Sequence, residues 1–191
     1  MAPKGFRGAL AVAATLLAAV PATAGADSSS GGTAPGSGSG SQGQSQGQSN
    51  PTGKARISRD GRTAIPPNNA PPQVKKAIYA ANKITRKPYR YGGGHGKWND
   101  SGYDCSGSVS YALHGGGLLR QPLDSSAFMR WGRGGRGRWI TIYANSGHAY
   151  VIIAGLRFDT SSAGAGGGSG PRWRNRGRSS SGYVARHPTG F

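Results

Sequence analysis

From Asp27 to about Gly53 the chain is Ser, Gly and Gln and little else, including the run SGSGSQGQSQGQS. A segment without large apolar side chains has nothing to bury against the entropy of ordering it, so a flexible linker is expected there. Residues 54 to 70 add several Arg and a Pro-Pro pair and are expected to stay extended. A disordered linker over 27–70 leaves residues 71–191 for folding, enough for one small α+β domain.

Ahead of the linker, Lys4 and Arg7 precede an apolar run from Ala9 to Val20. Ala22-Thr23-Ala24 and Ala24-Gly25-Ala26 follow as overlapping small-residue cleavage sites. Basic head, apolar middle and small-residue exit are the marks of a secretory signal peptide over 1–26. The apolar run is too short to span a bilayer comfortably. The chain is therefore expected to be exported, and an uncleaved membrane anchor is the alternative.

Export sharpens the meaning of Cys105, the single cysteine in 191 residues. Exported chains use cysteines in disulfide pairs, and a lone one points to an intermolecular bridge or a reactive thiol. Charge bounds the partners. The formal net charge is +18, with 24 Lys and Arg against six acids, all Asp. Such a chain adheres to polyanions, which outside a cell are wall polymers rather than nucleic acid. RWGRGGRGRW at 130–139 and RWRNRGR at 172–178 look like nucleic-acid segments but are read as solvated loops that attract anionic wall polymers. GGGHG lacks the Gly-Lys-Ser/Thr ending of a phosphate loop.

In the folded part, Val74, Ala77, Ile78, Ala81 and Ile84 recur at helical spacing after Pro71-Pro72, which predicts a helix over about 72–86 stopped by Pro88. Val109, Ala112 and Leu113 predict a second helix from Cys105, ended near Gly115-Gly116-Gly117. LDSSAFMRWG allows a short third. Then the period changes. RWITIYAN, HAYVIIAG, LRFDTSS and GYVARHP are short, β-branched and aromatic, with turns at NSG and Ala154-Gly155. The 22 residues from Ser161 to Gly182 are expected to form a long loop before the last strand. Helices followed by an antiparallel meander make an α+β fold, with the cysteine helix packed on the sheet.

At a helix N-terminus, free N–H groups and the helix dipole would stabilise a Cys105 thiolate. A nucleophilic thiolate needs an imidazole, and the imidazole needs a third group to set its tautomer. The chain offers His95, His114, His148 and His187. His148 opens an apolar strand, and a tight turn at Ala154-Gly155 would fold the next strand back so that Asp159 lies beside it. Cys105, His148 and Asp159 are therefore the candidate catalytic set. The plain alternatives are a small buried cysteine, a turn histidine and a strand-end aspartate. The scattered Cys, His and Asp residues have no metal-ligand spacing, and neither metal nor cofactor is expected.

PYRYGGGHGKWNDSGYDCSGSVSYAL followed by GHAYVIIAGLRFDT resembles the NlpC/p60 family of bacterial cell-wall cysteine peptidases. The most specific pieces are Asp-Cys-Ser-Gly at 104–107, Tyr-x-Tyr-Gly-Gly at 89–93 and Gly147-His148 opening a strand. The resemblance implies a papain-like α+β fold, with Cys105 as nucleophile, His148 as base and Asp159 where the family carries a polar orienting group. It implies that the Tyr89 hydroxyl helps hold an oxyanion and that Asp104 and Ser106 receive the free amine of a stem peptide. The implied activity is hydrolysis of amide bonds in peptidoglycan stem peptides, often between D-glutamate and the diamino acid; the chain itself is expected to be a monomer. The alternatives are a catalytically idle basic wall-binding module, or an amidase or transpeptidase using the same site.

Overall fold

In the computed structural model, residues 53–161, 170–175 and 177–191 are described, so the expected signal peptide and most of the expected linker lie outside them. Within these residues the fold is helices packed on an antiparallel sheet, an α+β arrangement. No helix among the described residues is long and apolar enough to cross a membrane.

Helix α1, Pro72–Ile84, carries Pro at its first turn and buries Val74, Ala77, Ile78, Ala81 and Ile84, the apolar positions read from the sequence. Helix α2, Cys105–Gly115, begins at Asp104, whose side chain accepts the Gly107 N–H. It ends on a left-handed Gly117 (φ 71°), with Leu118 N–H returning to the Leu113 carbonyl and Gly117 N–H to His114. That double closure satisfies the last carbonyls and stops the helix at the glycine run. Gly115 lets α2 cross α1 closely: a Cβ there would lie 2.2 Å from Ala80 Cβ. Helix α3 is short, Ser125–Phe128, capped by Asp124.

Two short strands precede α1: β1, Arg56–Ile57, and β2, Ala64–Ile65, paired antiparallel. The remaining strands are β3 (Arg133–Gly134), β4 (Ile140–Asn145), β5 (His148–Ile153), β6 (Leu156–Asp159), β7 (Arg172–Arg174) and β8 (Val184–His187). They form one sheet in the order β3-β8-β4-β5-β6-β7, with every neighbouring pair antiparallel. Ile140, Ile142, Ala144, Ala149, Val151, Ile153 and Phe158 turn one face toward the buried helix residues Val109, Ala112, Leu113 and Ile78. This layer is the core.

Three expectations change. The stretch 54–70 is not merely extended. Ala55 N–H donates to the Ala154 carbonyl, Ala64 and Ala70 are buried, and the Asn82 amide of α1 takes both backbone groups of Ala64. A side-chain amide, a backbone bond and small buried alanines together hold that hairpin. The expected long loop contains β7, because alternation in Arg-Trp-Arg lets Trp173 enter the core beside Phe158. Consequently Arg172 and Arg174 do not form a solvated adhesive loop. Arg172 donates to the Thr85 carbonyl, Arg174 donates to the Ser161 carbonyl, and Arg174 Nε is buried. Arg176 lies outside the described residues. Arg133 and Arg136 are exposed.

Candidate active site

Cys105 is the first residue of α2, where backbone N–H groups have no acceptor within the helix. Its position is set by the glycine loop before it. Gly107 in the first turn lies so near Gly93 that a Cβ would meet the Gly93 carbonyl oxygen at 2.0 Å. Asp104 N–H donates to that same carbonyl at 3.2 Å. The Gly-rich loop is therefore a wall pressed against the start of the helix.

His148 opens β5 after the two-residue turn Ser146-Gly147. The Asn145 side chain fixes that turn by accepting the N–H groups of Gly147 at 3.0 Å and His148 at 2.8 Å. Asp159 ends β6. The register pairs Val151 with Phe158 across the Ala154-Gly155 turn, so one step further sets Asp159 opposite Tyr150. His148, two residues before Tyr150, shares its face. The outcome is a His148 Nε2 to Asp159 Oδ1 contact of 2.9 Å, with the Asp159 side chain wholly buried. Ser161 donates its N–H at 2.9 Å and its hydroxyl at 2.7 Å to the same carboxylate. Arg157 Nε at 3.6 Å and Arg178 at 3.5 Å add positive charge beside it.

With Nε2 committed to Asp159, His148 also hydrogen-bonds the Cys105 thiol, which in turn meets the Ala149 N–H. Burial pushes the thiol up, but the imidazole and that N–H outweigh it, and the net shift is downward. Burial pulls the His148 imidazole down, while Asp159 and Cys105 together lift it to about 9. Burial raises Asp159, and hydrogen bonds from His148 and Ser161 bring it to about 2. The arrangement favours thiolate, imidazolium and carboxylate in a line.

Of this set, Cys105 lines a cleft of about 420 Å³, together with Tyr89, Tyr91, Gly92, His95, Asp104 and Ser106. Asp124, Ser125, Ser126, Ser146 and Gly147 complete it. Tyr89 is partly exposed, and burial together with the neighbouring Cys105 and Asp104 charges raises its phenol, which stays protonated. No Lys or Arg lines the cleft among the described residues, so the basic surface does not continue into it. A second cavity, about 300 Å³, lies between Asp60, Arg62, Thr85 and Trp173 and holds no nucleophile. Among the described residues no group of three or more His, Cys or Asp side chains could hold a metal ion.

The six candidate residues thus come together, but unequally. Cys105, His148 and Asp159 form one chain of contacts, and Tyr89 borders the cleft. Asp104 and Ser106 are engaged by a residue that sequence reasoning left unassigned. His95 Nε2 lies 3.0 Å from Asp104 Oδ1 and 3.2 Å from Ser106 Oγ. Arg178 was also missed. It reaches Ser161 Oγ at 2.9 Å and packs over the Tyr150 and Tyr183 rings. The remaining histidines lie apart from this set. His114 stacks on Trp98, and His187 contacts the Gly135 carbonyl.

No protein-family model matches the chain, and no curated protein sequence matches it. Among solved structures, one similar chain is the peptidoglycan hydrolase RipB from Mycobacterium tuberculosis, at 23% identity and a TM-score of 0.45. The match covers 60% of this chain and 64% of that one, less than two thirds of its length.

Proposed function

We propose that this chain is an exported cysteine hydrolase that cuts amide bonds in the stem peptides of bacterial peptidoglycan. The observation that carries the chemistry is the contact line Cys105–His148–Asp159, in which the imidazole touches both thiol and carboxylate and Cys105 lines a cleft. A thiolate held ready by an imidazolium, itself oriented by a buried carboxylate, is an acyl-transfer apparatus. The choice of peptidoglycan rests on the Asp-Cys-Ser-Gly, Tyr-x-Tyr-Gly-Gly and Gly-His motifs, on the leader over 1–26 and on the charge. The same resemblance implies the papain-like form of the helix and sheet and the D-glutamyl–diamino acid bond, and both belong to this reading.

In the reaction, Cys105 Sγ attacks the scissile carbonyl carbon. The developing oxyanion takes hydrogen bonds from the Cys105 backbone N–H and the Tyr89 hydroxyl. His148 gives its proton to the departing amine as the C–N bond breaks, leaving a thioester. Water then attacks that thioester, His148 takes its proton, and the C–S bond breaks to release the acid and restore the thiolate. Asp159 keeps one imidazole edge fixed throughout.

The test is mass analysis of fragments released from purified peptidoglycan by wild type and Cys105→Ala. Wild type should release fragments cut at a stem-peptide amide, and the variant none. The variant should still adhere to walls through exposed arginines such as Arg133 and Arg136, with adhesion falling as salt rises. Hydrolysis by Cys105→Ala would refute the mechanism. Failure of both proteins to cut would favour the idle wall-binding module.

A further inference from the structure

The family resemblance gives Asp104 and Ser106 the task of receiving a free stem-peptide amine, but in this chain both groups are already engaged. Asp104 Oδ1 accepts the Gly107 N–H at 2.7 Å and faces His95 Nε2 at 3.0 Å. Oδ2 accepts the Gly92 N–H at 3.0 Å. Ser106 Oγ lies 3.3 Å from Oδ1 and 3.2 Å from the same imidazole nitrogen. The Asp104 side chain is 10% exposed and that of His95 26%. His95 lines the cleft beside Cys105, on the Gly-rich loop pressed against the first turn of α2.

We propose that His95 is a specificity-determining residue. It caps the Asp104 carboxylate and the Ser106 hydroxyl, so that the cleft takes peptides whose N-terminus is acylated as readily as those with a free amine. An ammonium group could reach Oδ1 only by breaking the imidazole contact, and the backbone N–H groups of Gly92 and Gly107 hold the carboxylate where it is. The matching substrate class is a stem peptide whose first residue is still in amide linkage to its carrier, as in intact wall polymer, rather than a liberated peptide. This inference rests on the hydrolase reading above.

The test uses two peptides with the same scissile amide, one with a free N-terminus and one acetylated. The measured quantity is the ratio of their kcat/KM values in the full-length chain. For wild type the two should agree within about threefold. His95→Ala uncovers a buried carboxylate for a charge-assisted hydrogen bond, so it should move the ratio toward the free amine by roughly tenfold or more. His95→Gln keeps an N–H donor for Asp104 and should stay near the wild-type ratio. Because the ratio is internal, a general loss of turnover or folded protein cancels.

A wild-type preference above about tenfold for the free amine would overturn the proposal. So would an unchanged ratio in His95→Ala, or a Gln variant that behaves like Ala. Dissociation constants of the two peptides for Cys105→Ala, with and without His95→Ala, give the same ratio without chemistry. If wild type cuts neither peptide, the hydrolase reading falls and these constants decide the capping alone. Failure of both peptides to bind, or equal selectivity with and without His95, overturns it.

Discussion

Two histidine–aspartate pairs flank Cys105, at 2.9 Å for His148–Asp159 and 3.0 Å for His95–Asp104. Length does not separate them; their other contacts do. His148 stands on a six-residue strand inside the sheet, and it also hydrogen-bonds the thiol. Its partner Asp159 is fully buried, braced by Ser161, with Arg157 and Arg178 beside its charge. His95 stands on a glycine loop, and the single nitrogen it uses is shared between Asp104 and Ser106. Its partner Asp104 spends its oxygens on the Gly107 and Gly92 backbone N–H groups. On the proposed reading, the first pair serves proton transfer and the second holds the start of α2 in place.

Removing the first pair should have the largest effect. His148→Ala should abolish measurable hydrolysis, and Asp159→Ala should lower kcat by roughly two to four orders of magnitude, as loss of a tautomer-setting group does. Asp159→Asn should keep more activity than Ala, since an amide can still hold the ring. Steady-state kinetics on a stem peptide would check both. Wild-type rates in Asp159→Ala would erase the distinction between the pairs.

The pH profile sharpens it. Cys105 ionises below its ordinary value, and His148 holds its proton up to about 9. Turnover should rise as the thiol loses its proton and fall as the imidazolium discharges near about 9, with the pair titrating as a unit. His148 is raised above its unfolded value, so its stabilising contribution is complete below the ordinary histidine range and is lost as pH rises through about 9. Asp159→Asn removes the negative charge that lifts His148 and should bring the alkaline limb down. An alkaline limb that stays put in kcat/KM measured across the range would assign the titration elsewhere.

The smallest effect belongs to the second pair. Asp104→Ala should cost about 1–2 kcal/mol in urea unfolding, the range for a lost helix cap, and Asp104→Asn should recover most of it. A loss confined to turnover, with unchanged unfolding, would make Asp104 a chemical rather than a structural residue.

The difference between the pairs also explains what the sequence made legible. His148 and Asp159 could be placed because strand alternation and the two-residue Ala154-Gly155 turn leave one register, and the helix period put Cys105 at a helix start. His95 could not be placed, because a glycine loop has no period and its path is set by contacts such as Gly93 on Gly107. Arg172 and Arg174 were misjudged for a related reason. Composition counts charges, whereas the alternation that buries Trp173 turns its two neighbours toward the Thr85 and Ser161 carbonyls. The β1–β2 hairpin escaped because it is attached by backbone bonds and small buried alanines, with the Asn82 amide, rather than by a run of large apolar residues.

That amide, Asn82, has consequences for modularity. Its oxygen accepts from Ala64 N–H at 2.8 Å and from the Trp173 indole at 2.7 Å, and its nitrogen donates to the Ala64 carbonyl at 2.9 Å. Residues 64, 82 and 173, far apart in the chain, thus meet at one side chain. A fusion or transplant cut at residue 71, where composition places the border, would strip two of those three bonds and uncover the face beneath the hairpin. The portable unit begins before Ala55, and any recombination that respects the fold must carry this leading segment with it.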